Sequence, residues 1–273
     1  MTLNAVVHAR HGEEFVTGPG SAQLHGLRYC FPKCFERALR RRFNAERTTA
    51  DPRPRPSHRG PLGLLMLSRG DLTDVQLRQV LEAQQRGGSG RFGEWIQKLG
   101  YAREQQVVAA LAAQWSCPVL KALPLCVAEC AVPLGLLQRF HMAPVHFVRT
   151  TRVLHLAFVG DIEYRALLAI EQMLNCKTEA CLTTSAALEV VLARLDQEAK
   201  RSDKVFDGPR LPEEMTRITS SYALKLGAEE VRMVACGEYI WVRIENRRDA
   251  ANLLFSRNTT APYREELAEP AAS

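Results

Sequence analysis

A block of 24 residues occurs twice in this chain, and an internal repeat constrains the fold before local propensities do. Copy 1, residues 61–84, reads PLGLLMLSRGDLTDVQLRQVLEAQ, and copy 2, residues 91–114, reads RFGEWIQKLGYAREQQVVAALAAQ. The copies align without a gap. Both have glycine at the third and tenth positions, apolar residues at the second, sixth, seventeenth and twenty-first, and glutamine at the last.

Each copy has the pattern of a short helix, a glycine stop and a longer amphipathic helix. Gly70 is expected to end the first short helix in the left-handed conformation. Thr73 and Gln76 then form a capping box for the long helix, whose apolar residues follow the helical period. We therefore expect two helical pairs packed face to face. A purely structural repeat explains the apolar positions, but explains less well the glycine at the third position and the terminal glutamine.

The junction between the copies, GGSGRFGEW, contains a G-x-G-x-x-G match at Gly88, Gly90 and Gly93. A dinucleotide-binding loop must follow a strand and precede an acidic residue about 20 positions on. This match follows a predicted helix and has no such acid, so residues 87–90 are interpreted as a flexible joint. The chain also has no Walker A, G-x-S-x-G, H-E-x-x-H or kinase signature.

The segment before the repeats carries all the excess positive charge of the chain. Residues 1–60 contain 11 Lys and Arg against 5 Asp and Glu, and end in the alternating prolines of DPRPRPSHRG. Alternating prolines favour an extended, unfolded backbone. We predict a disordered basic arm over residues 1–60. Only its basic run at residues 37–43 would favour nucleic acid, so no nucleic-acid partner is expected.

After the repeats the pattern changes to strand, strand, helix, strand and helix over residues 117–200. A linker is predicted at 201–212, and then a helix, two strands and a short helix within 213–256, before a polar tail at 257–273. The predicted class is α+β. An all-helical tandem-repeat lobe (61–116) is followed by a small α/β lobe (117–200) and a short α+β C-terminal subdomain.

Candidate catalytic and metal-binding residues do not form a constellation. The eight cysteines include no C-x-x-C pair, and the seven histidines are scattered. Buried reduced thiols are therefore favoured over metal ligands. No apolar run is long enough to cross a bilayer, and no signal-peptide pattern opens the chain. We expect a cytoplasmic protein without catalytic activity, metal or transmembrane segment.

The tandem pattern R-L-G-x-x-L-x-x-x-G-x-x-x-x-x-x-L-x-x-x-L-x-x-Q resembles the MshEN domain. This is the N-terminal domain of type II secretion and type IV pilus assembly ATPases, including the general secretory pathway protein E and PilB families. The resemblance covers residues 60–255, and YALKLGAEEVRMVACGEYIWVRIE within it is similar to a degenerate start of the next ATPase subdomain. The chain stops before any ATPase domain. In the family the paired motifs bind cyclic di-GMP.

The resemblance implies a cyclic di-GMP site on both copies. Around copy 1 it comprises Arg59, Leu62, Gly63, Met66, Gly70, Leu77, Leu81 and Gln84. In copy 2 it comprises Arg91, Phe92, Gly93, Ile96, Gly100, Val107, Leu111 and Gln114. The glycines would let backbone approach the dianion, Arg91 would stack on a guanine, and the glutamines would bond purine edges. Pro61 stands where the family has Arg, and Arg59 would compensate if the chain bends back.

Two hypotheses follow. The first is a non-catalytic cyclic di-GMP-binding regulatory or adaptor module without the motor domain. Its partner would be an inner-membrane platform protein or a motor ATPase of a secretion or pilus system, which would place the chain at the periphery of the inner membrane. The alternative is a protein–protein adaptor of such a system that has lost nucleotide binding. An enzyme ranks third, because no catalytic set is visible.

Overall fold

The computed structural model describes residues 21–30, 32–49, 60–121, 131–197 and 203–257. It contains helices and two β-sheets, so the predicted α+β class is confirmed. The chain divides into two compact units, which we call the repeat unit (residues 51–203) and the sheet unit (residues 1–50 with 204–273). Within the described residues, no helix is both long and apolar enough to span a membrane.

The repeat unit begins with the four helices of the two copies. Their bounds are α2 Leu62–Ser68, α3 Asp74–Gly87, α4 Phe92–Lys98 and α5 Glu104–Trp115. As predicted, Gly70 follows α2 in a left-handed conformation (φ +74°), and Gly100 does the same after α4 (φ +70°). The predicted capping box of Thr73 and Gln76 is present at the start of α3. Both copies therefore fold as a short helix, a glycine stop and a long helix.

After an initial helix, the second half of the repeat unit has the predicted order of strand, strand, helix, strand and helix. It comprises α6 Leu134–Arg139, β3 Met142–Val148, β4 Val153–Phe158, α7 Tyr164–Leu174, β5 Lys177–Leu182 and α8 Ser185–Gln197. Strand β4 is antiparallel to β3 and parallel to β5. Leu154, Leu156 and Phe158 alternate along β4 and are all buried. Helices α7 and α8 pack against β5 and β3, so this half is a small sheet backed by helices.

The sheet unit joins the two ends of the chain. It comprises β1 Ser21–Leu24, β2 Leu27–Cys30, α1 Lys33–Thr48, β6 Asp203–Phe206, α9 Pro212–Leu226, β7 Glu230–Cys236, β8 Tyr239–Glu245 and β9 Ala250–Ser256. The strand order is β2-β1-β7-β8-β9-β6, with β1 parallel to β7. Helices α1 and α9 pack against each other and share one apolar core with a single face of the sheet.

The prediction of a disordered arm over residues 1–60 is wrong for residues 21–30 and 32–49, which form a hairpin and α1. Phe35, Leu39 and Phe43 recur at four-residue spacing, and all three are fully buried in the core of the sheet unit. A segment with this much buried apolar surface is stabilised by burial despite its charge. Residues 1–20, 31 and 50–59, which include the proline-rich stretch and Arg59, lie outside the described residues.

Two further predictions are wrong in the C-terminal part of the chain. The predicted linker at 201–212 contains strand β6, which lies beside β9 at the sheet edge. The short helix predicted after β8 is strand β9, and its residues Leu253, Leu254 and Phe255 are fully buried. A strand buried on both faces reads as a continuous apolar run, which local pattern does not distinguish from a buried helix. The tail from residue 258 lies outside the described residues.

Candidate functional site

The two copies of the repeat close on each other crosswise. The short helix of copy 1, α2, packs against α5 of copy 2, and the short helix of copy 2, α4, packs against α3 of copy 1. Met66 and Ile96, at the sixth position of each copy, are both fully buried in this interface. The predicted pair of helical units facing each other is therefore present. The equivalent helices of the two copies thus have equivalent neighbours, as in a pseudo-twofold arrangement.

The third-position glycines lie at the closest contacts between the copies. A Cβ atom on Gly63 would stand 2.6 Å from Cδ1 of Leu77 and 2.9 Å from Cζ of Phe92. A Cβ atom on Gly93 would stand 3.0 Å from Cγ1 of Val107 and 3.9 Å from Cδ2 of Leu62. In both cases the neighbours are the seventeenth residue of the same copy and the second residue of the other. The expectation that the core does not need the third-position glycine is therefore wrong for Gly63, where a Cβ atom would overlap two packed side chains, whereas Gly93 leaves a Cβ atom just enough room.

The terminal glutamines also connect one copy to the other. Nε2 of Gln84 donates to the carbonyl oxygen of Gly90 at 3.1 Å, and Nε2 of Gln114 donates to that of Gly60 at 2.7 Å. Gly90 and Gly60 are the residues immediately before copy 2 and copy 1. Each glutamine thus fixes the start of the opposite copy. This structural role explains why both copies end in glutamine and leaves only part of each side chain for a ligand.

A second pair of crosswise hydrogen bonds involves residues that the sequence pattern did not single out. Tyr101 donates from its hydroxyl to Oε1 of Gln79 at 2.6 Å, and Gln106 donates from Nε2 to Oδ1 of Asp71 at 3.2 Å. Asp71 and Tyr101 both occupy the eleventh position of their copies. Because the two side chains differ in type, a comparison based on residue identity does not find them. Their shared position after the glycine stop is the signal.

Arg91 extends from the start of copy 2 to the loop after β4. Its Nη1 lies 3.4 Å from Oδ2 of Asp161, and the two side chains are 62% and 56% exposed. The same Nη1 would be 3.0 Å from a Cβ atom on Gly160, so the guanidinium rests on that glycine. An exposed ion pair contributes little to stability. Arg91 is therefore a cation held weakly by an exposed ion pair. It connects the repeats to the β3–β5 half of this unit.

Trp95 packs against the joint between the copies, residues 87–90. Its indole N–H donates to the carbonyl oxygen of Ser89 at 3.1 Å. A Cβ atom on Gly87 would lie 2.3 Å from the indole ring. Gly88 ends α3 in a left-handed conformation, with φ +64°. These glycines accommodate the indole and the chain reversal, and the interpretation of residues 87–90 as a flexible joint stays a prediction.

The predicted site residues divide into an accessible and a buried set. Leu62, Gln84, Phe92, Gly93 and Gln114 are partly exposed, and Gly70, Leu81, Arg91 and Gly100 are exposed. Gly63, Met66, Leu77, Ile96, Val107 and Leu111 are buried. Leu81, 44% exposed, and Leu111, 8% exposed, are equivalent by sequence but not by environment. The buried set supports the surface from beneath, and the accessible set supplies the groups that a ligand could touch.

The cysteine and histidine side chains that the structure describes do not form a second candidate site. Among the described residues, Cys30, Cys34, Cys117, Cys176, Cys181 and Cys236 form no disulfide, and Cys126 and Cys130 lie outside the described residues. Burial, with Cys117 nearby, raises the pKa of Cys181 to about 12, so this thiol stays protonated. Across the described ranges no three His, Cys, Asp or Glu side chains are grouped as metal ligands would be.

Comparisons with known proteins give similarity at the level of solved structures. No protein-family model and no curated protein matches the chain. A structure of MshE with cdg is 24% identical, covers 50% of this chain and 99% of its own, and has a TM-score of 0.44. A structure of the N-terminal domain of XpsE is 20% identical, covers 49% and 92%, and has a TM-score of 0.40. Over about half its length the chain is similar to MshE and to the N-terminal domain of XpsE.

Proposed function

We propose that this chain is a non-catalytic module that binds cyclic di-GMP through its two repeats and signals the bound state to a partner protein. The observation that carries the proposal is the crosswise closure of the two copies. Each terminal glutamine bonds the residue before the opposite copy, and each second residue packs on the opposite third-position glycine. The accessible second residues and terminal glutamines of the two copies thereby take corresponding positions, as a local pseudo-twofold symmetry would place them.

Cyclic di-GMP has the symmetry that such an arrangement favours. It is a dianion with two guanines related by a twofold axis, so a duplicated site can use each set of groups once per nucleotide. Leu62 and Phe92 offer apolar contact to the bases, and Oε1 of Gln84 and Gln114 can accept from guanine N–H groups. Arg91 supplies a cation that can stack on one guanine or pair with phosphate.

The rest of the chain fits a module of this kind. In the proposal the helical copies form the sensing lobe, and the α/β lobe that Arg91 contacts reports the bound state. Residues 213–256 are a degenerate form of the segment that begins the next ATPase subdomain. The partner is a protein of a secretion or pilus machinery, either an inner-membrane platform protein or a motor ATPase. The module acts in the cytoplasm, and that partner gives it one route to the inner membrane.

One observation favours a second candidate function, an adaptor that has lost the ligand. The side-chain amides of Gln84 and Gln114 are hydrogen-bonded within the repeats, and Arg91 is held near Asp161. Pro61 supplies no charge at the position where copy 2 has Arg91. The polar groups that would recognise a nucleotide are thus already engaged within the protein. An adaptor of this kind would bind its partner equally well in the presence and absence of cyclic di-GMP.

Calorimetric titration of the full chain with cyclic di-GMP separates the two candidates. We expect one nucleotide per chain, and we expect Arg91→Ala to weaken binding about tenfold because a desolvated guanidinium–ring contact is lost. The matched control is Arg78→Ala on α3, since Arg78 is 73% exposed and pairs with the nearby Asp74. Absence of heat with a demonstrably folded chain, or equal losses in both variants, would contradict binding at this site.

A further inference from the structure

Helix α1 has an apolar side and a basic side. Phe35, Leu39 and Phe43 are buried on the first. The opposite side carries Lys33, Arg37, Arg40 and Arg41, and Arg47 stands one turn beyond Phe43 at the end of the helix; all five are exposed or partly exposed. Arg42 lies on the flank and pairs with Glu46 at 2.6 Å. Within the described residues no carboxylate forms an ion pair with any of the five basic side chains.

The neighbouring helix α9 extends this charge. Arg217 and Lys225 are exposed on its outer side, and Leu224 between them is 70% exposed. Glu214 is neutralised by Arg210, which leaves Glu213 as the exposed acid in the first turn of α9. We call the five basic residues of α1, together with Arg217 and Lys225, the basic face. It is a strongly positive surface that contains one protruding leucine.

The shape of this surface favours a flat partner over a nucleic acid. Helices α1 and α9 lie side by side on one face of the sheet. A DNA major groove is about 12 Å wide and admits one helix, whereas a second helix packed about 8–10 Å away would strike the groove wall. Single strands are held by exposed aromatic side chains. The outward positions of α1 and α9 carry none of these.

We propose that the basic face docks directly on an anionic lipid bilayer. Lysine and arginine side chains near an anionic leaflet are each attracted to its headgroup phosphates, and the exposed Leu224 enters the interfacial region. The apolar side of α1 is occupied by the protein core, so the helix adsorbs without inserting. The contact uses the sheet unit and does not depend on cyclic di-GMP or on the partner protein proposed above.

Vesicle co-sedimentation of the full chain tests this proposal. One set of vesicles contains phosphatidylcholine alone, and the other contains phosphatidylcholine mixed with phosphatidylglycerol. We expect binding to the anionic set only, decreasing as salt screens the charges. The double variant Arg37→Gln/Arg41→Gln should lower the partition coefficient roughly 10- to 30-fold. The matched control is Arg78→Gln/Arg86→Gln on α3, which removes the same charge from side chains 73% and 82% exposed.

The outcomes are decisive in either direction. Selective loss in the α1 variant, repeated in Arg217→Gln/Lys225→Gln with circular dichroism unchanged, supports the proposal. Equal binding to neutral vesicles overturns it, and so do equal losses in the α1 and α3 variants. If the chain ignores anionic vesicles but binds polyuridylate or duplex DNA through the same residues, the basic face recognises nucleic acid and the lipid proposal is wrong.

Discussion

The two copies of the repeat have the same backbone course but different side chains where they begin. The residue before α2 is Pro61, with φ −56° and ψ 137°, and the residue before α4 is Arg91, with φ −79° and ψ 152°. The next residue is Leu62 in copy 1 and Phe92 in copy 2. The conformations that position these groups are therefore alike, while the charge of Arg91 and the aromatic ring of Phe92 have no equivalent at the start of copy 1.

This comparison separates the scaffold from the candidate ligand chemistry. Glycines, buried apolar residues and terminal glutamines recur at the crosswise contacts of both copies. Residues that face outward do not take part in this packing, and they differ between the two copies. The residues that the two copies share are thus explained mainly by helix packing. Ligand binding is best tested at the residues that differ at the start of each copy.

The largest effect should come from filling the space at the third position. Gly63→Ala puts a methyl group 2.6 Å from Leu77 and 2.9 Å from Phe92, whereas Gly93→Ala meets its nearest atom, on Val107, at 3.0 Å. Overpacking costs about 1–3 kcal/mol, and replacing a helical glycine by alanine returns about 1 kcal/mol. Urea unfolding should show Gly63→Ala as clearly destabilising and Gly93→Ala as nearly neutral.

Each variant is the control for the other, since both lie at the same position of a short helix. Equal free energies of unfolding for Gly63→Ala and Gly93→Ala would mean that the side chains around Gly63 rearrange without cost. In that case the crosswise contact between Gly63 and Phe92 is not tight in solution, and the scaffold constraint that we infer for copy 1 is wrong.

The repeats could be predicted from the sequence because their signals are local. Glycine stops, the Thr73 capping box and helical periodicity act over a few residues, and the structure confirms them. The sheet unit could not be assembled in this way. Strands β1 and β7 pair across about two hundred residues of intervening chain, and no local pattern specifies such a partner.

Two local signals in the N-terminal segment were nevertheless present. His25 and Gly26, with φ +50° and +78°, form the two-residue turn between β1 and β2, and His-Gly between alternating apolar residues is compatible with such a hairpin. Phe35, Leu39 and Phe43 mark one face of α1. The many arginines and prolines around them led instead to the prediction of a disordered arm. The basic composition reflects the solvent-facing side of α1 and does not indicate its buried apolar side.

A smaller effect, on affinity, should follow when copy 1 is given the residue of copy 2. Pro61→Arg places a guanidinium on a backbone conformation that Arg91 already adopts, so we expect little strain. A second stacking cation should strengthen cyclic di-GMP binding about 3- to 30-fold. Pro61→Ala removes the ring without adding charge and serves as the control. Calorimetric affinities that are equal for the two variants would contradict a ligand position next to residue 61.

The prediction of the site from sequence was limited for a related reason. The motif identified residues that recur, but recurrence mixed accessible groups such as Gln114 with core residues such as Ile96. It also missed Asp161, because that residue lies outside both copies and reaches Arg91 only through the loop after β4. Contacts made through the tertiary fold carry no spacing that a linear pattern can show.

The smallest effect concerns the ion pair between Arg91 of copy 2 and Asp161. If Arg91 must leave Asp161 to stack on a guanine, Asp161→Asn should raise the affinity for cyclic di-GMP by a factor of up to about five, the value of an exposed ion pair. Asp74→Asn, which frees Arg78 in the same way on α3, is the control and should change nothing. A lower affinity in Asp161→Asn would mean that the carboxylate positions Arg91 for the ligand. Copy 2 would then depend on the β3–β5 half for its cation, and copy 1, which has no cation to position, would be independent of it.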